Sequence, residues 1–585
     1  MVQNFVSGST FLLYYFFLCP LIIANEYDLP PHIIVIMADD LGWDDVGFHG
    51  SNEIPTPNID ALAYNGIILN RHYVLPSCTS SRAAFLTGRY PTRMGLQGDS
   101  IQGGEPRGLP IDIKILPEHL QKLGYETRLI GKWHVGFHTP QHTPLHRGFD
   151  SFLGFYNRYI SYYDYRYTQG NMSGYDMHID DQPAYGLKHE YATDLFTNEA
   201  VRIIDNHYSQ RPLYLQISHL AVHAPLEFPP DDYHEENFTH IKEYERRKYA
   251  AMVTRLDNSV GRVVSSLGDR GMLKNSLILF LTDNGGAPTG KYRNWAWNYP
   301  LRGTKYTLYE GGVRGVAAIW SPLLQDVARV SDQLIHITDW VPTLYAAAGG
   351  DIRDLRELDG VNQWRALNHS GQSTSRTILL NIDEISKTEG AIHGRFKLIR
   401  GSIDPHGQYD GYVWPINHYR RRVTISYNTT RILHSVVADS IRTHLGTPIT
   451  QPSTMITLRQ RATVECHTNS TSPNIFNVST CNQTECLFDI IHDPCETKNI
   501  AQQYPMRVTD LDQFLAKHSN SLMKQLRLPV DQMADPRRKN GTWQPWLKPG
   551  VFVYPNPNGA GAIGTTAICA HIGMALIIVG LRAFI

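Results

Sequence analysis

The sequence predicts an α/β fold: a largely parallel sheet flanked by helices, followed by a smaller C-terminal domain with an antiparallel sheet. Three observations predict it. Short apolar runs recur at residues 32–37, 67–73, 213–218, 277–282 and 315–320, with the length and continuity of strands buried on both faces. Helical patterns lie between and beyond them at 58–64, 80–86, 117–123, 191–206, 244–267 and 338–348, and strands alternating with helices imply crossover connections and parallel pairing. After about Asp359 the pieces shorten (378–382 and 396–400), turn residues multiply and a cysteine cluster begins. The boundary between a large N-terminal domain (25–365) and a C-terminal subdomain (366–556) is set there.

The chain has 54 Lys+Arg against 55 Asp+Glu over 585 residues, a formal net charge of −1. No broad basic field exists, so nucleic-acid binding by bulk charge is excluded and any anion must be gripped locally. With 42% hydrophobic and 11% aromatic residues, whole-chain disorder is excluded as well. Residues 11–23 (FLLYYFFLCPLII), followed by Ala24, read as a secretory signal spanning 1–24. A helical anchor is the rival reading, but 13 residues containing Pro20 are short for a span. At the other end, Gly559, Ala560 and Gly561 precede an apolar tail. Residues 557–585 therefore read as a GPI-attachment signal, with a transmembrane helix as the alternative. Both put the protein in the secretory pathway, bound for the cell surface or the lysosome, with a membrane as partner through its C-terminal anchor.

Export makes demands on the residues between. Acceptors of the form Asn-x-Ser/Thr stand at Asn171, Asn237, Asn368, Asn428, Asn469, Asn477, Asn482 and Asn540, and in an exported chain they mark candidate glycan-bearing loops. Cys466, Cys481, Cys486 and Cys495 lie close together. Two disulfides are expected from them, in one of three pairings, with a zinc knot as the alternative.

Chemistry is expected beyond the carboxyl ends of parallel strands. One apolar run ends in Asp39 and Asp40, another in Asp283 and Asn284. Adjacent carboxylates with no basic neighbour in sequence are costly unless a cation neutralises them. A hard divalent cation bound through these oxygens does so, with Ca²⁺ favoured over Mg²⁺ because the oxygens would come from protein and substrate. Either pair alone reads equally as a turn or a helix cap. A third element, PSCTSSRAAFLTGRYPTR at 76–93, puts Cys78 before a helical run, where free N–H groups suit an oxyanion. Arg82 follows one helical turn later, on the same face. A lone cysteine before a helix otherwise reads as a structural thiol.

Together these elements resemble the sulfatase family. Cys78, Arg82, Thr87 and Gly88 match its Cys-x-Pro-x-Arg signature and following Thr-Gly, while Ser80 stands where the family has Pro or Ala. Further matches run in family order from about His32 to Asp493: LIGKWHVG brings Lys132 and His134, SHLAVHAPLEFP brings His223, and PLRGTKYTLYEGGVRG brings Lys305. LDGVNQW and CLFDIIHDPCE are similar to the family's C-terminal subdomain, and the whole is most similar to the arylsulfatase B, I and J subgroup. The resemblance implies an alkaline-phosphatase-like α/β sandwich with a small C-terminal sheet. It implies hydrolysis of a sulfuric ester on a sulfated glycan, of the N-acetylgalactosamine 4-sulfate type, or on an aryl sulfate. It further implies a Ca²⁺ on Asp39, Asp40, Asp283 and Asn284, with Cys78 facing the metal as a formylglycine made by the formylglycine-generating enzyme.

Roles follow for the same residues. Lys132 and Lys305 would hold the sulfate oxygens, His223 would meet the ester oxygen as general acid, Arg82 would orient the nucleophile and His134 would take a proton from it. A phosphatase or phosphodiesterase on the same fold would usually offer Ser or Thr where this chain has Cys78. A catalytically silent, anchored glycan-binding glycoprotein is the alternative that Ser80 keeps open. The loop 149–175 carries seven tyrosines between Tyr156 and Tyr175, which either stack on sugar faces or pack.

Overall fold

The computed structural model describes residues 29–228, 238–369, 376–404, 409–411, 426–466, 481, 485–525, 527–554 and 562–565. Ten strands form the large sheet: β1 (His32–Ala38), β2 (Ile67–Leu69), β3 (Glu126–Lys132), β4 (Ser151–Phe155), β5 (His178–Ile179), β6 (Gln182–Pro183), β7 (Leu213–Ser218), β8 (Ser276–Thr282), β9 (Ala317–Trp320) and β10 (Arg329–Ser331). Their spatial order is β10-β2-β9-β8-β1-β7-β3-β4-β5-β6. The centre, β8-β1-β7-β3-β4, is parallel throughout, with Ile34 opposite Leu215 on one side and Ile278 on the other. Antiparallel pairs flank it on both sides. Every residue of β1, β7 and β8 is buried, as continuous apolar runs require of strands covered on both faces.

Helices cover the sheet in two contacting groups. One contains α1 (Pro57–Asn65), α4 (Ala192–Asn206), α5 (Tyr244–Asp269) and the later helix Val436–Leu445; the other contains α2 (Cys78–Thr87), α3 (Leu116–Gln121) and α7 (Trp340–Ala347). In α5 the buried residues Tyr249, Val253, Leu256, Val260, Val263, Val264 and Leu267 recur at three- and four-residue steps, the stripe that packs an amphipathic helix onto its neighbours.

Four further strands, β11 (Thr377–Asp383), β12 (Thr388–His393), β13 (Phe396–Arg400) and β14 (Cys486–Asp489), make an antiparallel sheet in that order. Helix Pro505–Asn520 packs on it. A buried ion cluster ties this sheet to the short helix that follows the Lys305 loop: Lys397 Nζ on β13 is 2.8 Å from Glu310 and 2.9 Å from Glu496. Glu310 opens the short helix α6 (Glu310–Val313) and also accepts from Tyr73 and Arg314.

The expected mixed sheet with flanking helices and a small C-terminal antiparallel sheet is what forms, with local differences. The run 67–73 is two strands: after β2 the chain turns at Asn70-Arg71, and His72–Tyr73 pairs instead with Ile335–His336. Strands β3 and β4 escaped the apolar-run criterion because Glu126, Thr127 and Arg128 interrupt the first and Ser151 and Gly154 the second. Of the three cysteine pairings, Cys466–Cys495 and Cys481–Cys486 form, with Cα separations of 5.8 and 5.6 Å; no zinc knot is made. Asn171, Asn428 and Asn540 are exposed, whereas Asn368 is half-buried and accepts from the Gln325 N–H. Asn237, Asn469, Asn477 and Asn482 lie outside the described residues, as do the leader and most of the tail expected to carry an anchor. Among the described residues no helix is long and apolar enough to cross a membrane.

Candidate active site

Because β1, β3, β7 and β8 run parallel, the residues that follow them gather along one edge of the sheet. Asp39 and Asp40 follow β1, Asp283 and Asn284 follow β8, Lys132 ends β3 with His134 two residues on, and His223 lies in the loop after β7. Cys78 and Arg82 come from the first turns of α2, and Lys305 from the loop before α6. None of these ten side chains is more than 2% exposed. Segments up to 265 residues apart, the Asp40–Lys305 interval, thus meet in one interior cluster.

Ser77 is the extended N-cap of α2 and Cys78 its first residue, so the thiol sits beside free helix N–H groups. Gly88 ends the helix at φ 69° with its N–H on the Ala84 carbonyl. Only glycine takes that left-handed position cheaply, and a Cβ there would stand 3.0 Å from Val341 Cβ. Lys305 Nζ donates to Cys78 Sγ at 3.1 Å, and the thiol donates to Asp39 Oδ1 at 3.7 Å. Burial pushes the Cys78 thiol up in spite of Lys132 and Lys305, so the unmodified side chain is a protonated thiol rather than a thiolate.

Three cations face three carboxylates. Lys132 Nζ is 2.5 Å from Asp39 Oδ2, Lys305 Nζ 2.6 Å from Asp40 Oδ1, and the Arg82 guanidinium 2.9 Å from Asp283 Oδ2. Burial alone would raise Asp39 and Asp40, but Lys132 beside the first and Lys305 beside the second hold both below the usual carboxylate range. Burial and Asp39 raise Asp283 despite Arg82. With equal numbers of formal charges, the unliganded cluster has no excess with which to attract an anion.

The donor set suits a hard cation. One oxygen or sulfur from each of Asp39, Cys78 and Asp283 lies within 4.8 Å of the others, as do ligand atoms of Asp39, Asp40 and His223. Asn284 donates its amide to Asp40 Oδ1 at 2.6 Å, while Asn284 Oδ1 and Asp40 Oδ2 are buried without a hydrogen-bond partner. Orphaned buried oxygens beside carboxylates fit a divalent ion with oxygen ligands.

Two histidines present opposite nitrogens. The Ala224 carbonyl, 2.5 Å from His223 Nδ1, fixes the proton there and leaves Nε2 toward Asp40 Oδ2 at 3.6 Å. The Ile101 carbonyl, 3.0 Å from His134 Nε2, fixes the proton on that atom and leaves Nδ1 with no partner. Burial, aided by Lys132 and Arg158, holds His134 well below the ordinary imidazole value, so it is a neutral ring with a free lone pair. Asp40, His134 and Tyr306 adopt φ of 61°, 53° and 79°, and such left-handed strain is tolerated where surrounding structure over-determines it.

Some supporting residues carried no signal in the sequence. Thr79, next to Cys78, donates to the His134 carbonyl at 3.2 Å, and Asn294 donates to the carbonyls of Asp40 and Val222. Tyr159 stacks on His223 with ring centroids 5.5 Å apart. In the tyrosine-rich loop, Tyr156, Tyr162, Tyr165, Tyr167 and Tyr175 are buried packing residues and only Tyr159 and Tyr163 are half-buried. A separate hollow of about 280 Å³, lined by Glu53, Asp60, His240, Tyr427 and Arg431 among others, contains none of the cluster.

A buried cysteine at a helix N-terminus, two lysines and a cluster of carboxylates at the carboxyl edge of a parallel sheet suit a hydrolase of anionic esters. The chain belongs to the sulfatase family, whose profile matches residues 31–350, and it is a sulfuric ester hydrolase. It is similar to arylsulfatase J of Mus musculus, 34% identical over 521 residues covering 88% of this chain and 80% of the relative. It is 34% identical to the N-acetylgalactosamine-6-sulfatase of Canis lupus familiaris, over 60% of this chain and 68% of the relative. Among solved structures, Ps i-CgsB in complex with k-i-k-neocarrahexaose superposes with a TM-score of 0.66 at 25% identity, over 87% of this chain and 98% of that one.

Proposed function

We propose that the protein removes sulfate from a sulfated amino sugar of a glycosaminoglycan, using a formylglycine made from Cys78 and a Ca²⁺ held by Asp39, Asp40, Asp283 and Asn284. The observation that carries this reading is Cys78 itself, buried between Lys305 and Asp39 at 3.1 and 3.7 Å at the start of α2. The carbon-4 position expected for the ester is not reinforced by the relatives, since one of them is named a 6-sulfatase. The substrate class is therefore the sulfated galactosamine type with the position open. The two disulfides support an oxidising, secretory route.

Bound Ca²⁺ supplies positive charge toward the sulfate oxygens, and a formylglycine hydrate supplies a nucleophilic hydroxyl with a second hydroxyl from which the aldehyde is regenerated. The remaining work falls to side chains. Lys132 and Lys305 turn from their carboxylates to the sulfate oxygens and stabilise charge developing there. Arg82 holds Asp283 in place through two bonds to Oδ2, at 3.1 and 2.9 Å. His223 keeps its Nδ1–H on the Ala224 carbonyl and rests neutral, so it must first take a proton from solvent at Nε2, beside the Asp40 carboxylate, before passing that proton to the departing oxygen; His134 takes one at Nδ1. Burial of the cluster strengthens each of these interactions relative to water.

The test is mass spectrometry of the tryptic peptide 72–82 from protein made in its natural source, paired with sulfate release from an aryl sulfate. Conversion of Cys78 with activity that Cys78→Ala abolishes supports the reading. Unmodified cysteine throughout, or activity retained in the variant, refutes it.

A further inference from the structure

We propose that Arg158 selects substrates bearing a second anionic group, a carboxylate or a further sulfate, near the sugar whose ester is cleaved. This deepens the sulfatase reading above and rests on it.

Arg158 lies three residues beyond β4, at the same sheet edge as Lys132. It is 8% exposed, and among the described residues its one hydrogen bond runs from Nη2 to the Ser100 carbonyl at 3.1 Å. Nε is buried with no partner. Among the described residues no carboxylate comes within ion-pair reach of it. Five other buried arginines are matched: Arg82 with Asp283, Arg107 with Glu105, Arg147 with Glu118, Arg246 with Asp45 and Glu53, and Arg314 with Glu310, while Arg302 donates to the carbonyls of Asp410 and Glu496. A buried guanidinium without a counter-charge is expensive in the free protein, and an arriving anion recovers that energy.

Its surroundings say where the anion belongs. The guanidinium carbon is 4.8 Å from the centre of the Tyr292 ring, and Lys291 Nζ is 5.3 Å from the same ring. Tyr292 and Tyr159 are 5.8 Å apart and lie 5.9 and 5.5 Å from His223. Arg158 makes no bond to Asp39, Asp40, Asp283 or Cys78. It therefore stands with the aromatic rings around His223, near enough to His134 for its charge to act on that ring, and outside the lysine–carboxylate pairs proposed to grip the reacting sulfate. A planar fork with a free Nε–H matches carboxylate or sulfate oxygens in pairs, and the two half-exposed tyrosines offer faces for the sugar ring.

The experiment compares wild type, Arg158→Gln and Arg158→Lys on four substrates: 4-methylumbelliferyl sulfate, a monosulfated N-acetylgalactosamine, the same sugar linked to glucuronate, and the disulfated sugar. Arg158→Gln is expected to lower kcat/KM on a doubly anionic substrate by about 10- to 100-fold, mainly through KM, with the first two substrates within about twofold and partial rescue by Arg158→Lys. Whichever of the last two substrates shows the loss identifies carboxylate or sulfate as the group. An equal loss on all four, or none, overturns the proposal. Calorimetry with the unsulfated glucuronate disaccharide and with a disulfated sugar reads binding independently of turnover. If wild type cleaves nothing, the sulfatase reading fails alone, and Arg158 is judged by whether Arg158→Gln weakens binding of either ligand; unchanged binding of both overturns it.

Discussion

Lys305 Nζ lies 3.1 Å from Cys78 Sγ although 227 residues separate them, and the same ammonium is 2.6 Å from Asp40 Oδ1. One cation thus contacts both the proposed nucleophile and a carboxylate proposed to hold the metal. Lys305→Ala should lower kcat/KM on an aryl sulfate by about 100- to 1,000-fold, the loss typical of a preorganised charge-stabilising donor. It also leaves Asp40 without its ammonium, so the melting temperature should fall in chelator and recover when Ca²⁺ is added. Steady-state kinetics and thermal unfolding read the two effects separately.

Removal of metal gives a second expectation. With Ca²⁺ stripped, the lysine–aspartate pairs seen here keep the cluster neutral, so the protein should stay folded while activity is lost to EGTA and restored by Ca²⁺. Asn284→Ala deletes a buried oxygen that has no hydrogen-bond partner together with an amide that donates to Asp40 and to the Gly285 carbonyl. It should therefore lower the melting temperature in EGTA through the lost amide bonds and, separately, shrink the further rise that Ca²⁺ produces. An unchanged Ca²⁺ response would remove Asn284 from the ligand set.

Stability should depend on pH through His72. Burial pushes its ring from 6.5 down to about 3, and Trp340 Nε1–H donates to its Nε2 at 3.0 Å, a bond that needs the neutral form. The unfolded chain takes up a proton near 6.5 and the folded one does not, so the unfolded state binds more protons between about 6.5 and 3. The stabilisation is present above 6.5 and lost as pH falls: about 2 kcal/mol at pH 5 from this side chain. His72→Gln, which can still accept from Trp340, should lose less stability than wild type between pH 7 and 5, measured by denaturant titration at each pH.

The Cys466–Cys495 bond spans 29 residues. Opening it with the paired change Cys466→Ser and Cys495→Ser should cost about 3.6 kcal/mol by loop-closure entropy. The Cys481–Cys486 bond, spanning 5, should contribute less. Urea unfolding of the two double variants gives the comparison.

Much of the site was legible in the sequence because its residues follow apolar strands or sit in compact motifs. Asp39 and Asp40 directly follow β1, Asp283 and Asn284 directly follow β8, and Cys78 and Arg82 are one helical turn apart. The strands β3 and β4 were not legible, since Glu126, Arg128, Ser151 and Gly154 break the apolar pattern, and so neither was the platform they build for Lys132 and Arg158. Nor did the tyrosine-rich loop show which ring would face the site: five of its seven tyrosines are buried packing residues, and Tyr159 alone stacks on His223.

By itself the sequence determined the layered α/β class, the acidic pairs at strand ends, the cysteine at a helix start and the set of cysteines that crosslink. Each of these is a local property of residue type and spacing. The tertiary structure alone decided which carboxylate each cation faces, which histidine nitrogen is left free, which cysteines pair, and that Arg158 is buried without a counter-charge. Those depend on distances between segments up to hundreds of residues apart, set by the register of the parallel strands and by the packing of α2 and the Lys305 loop against their ends.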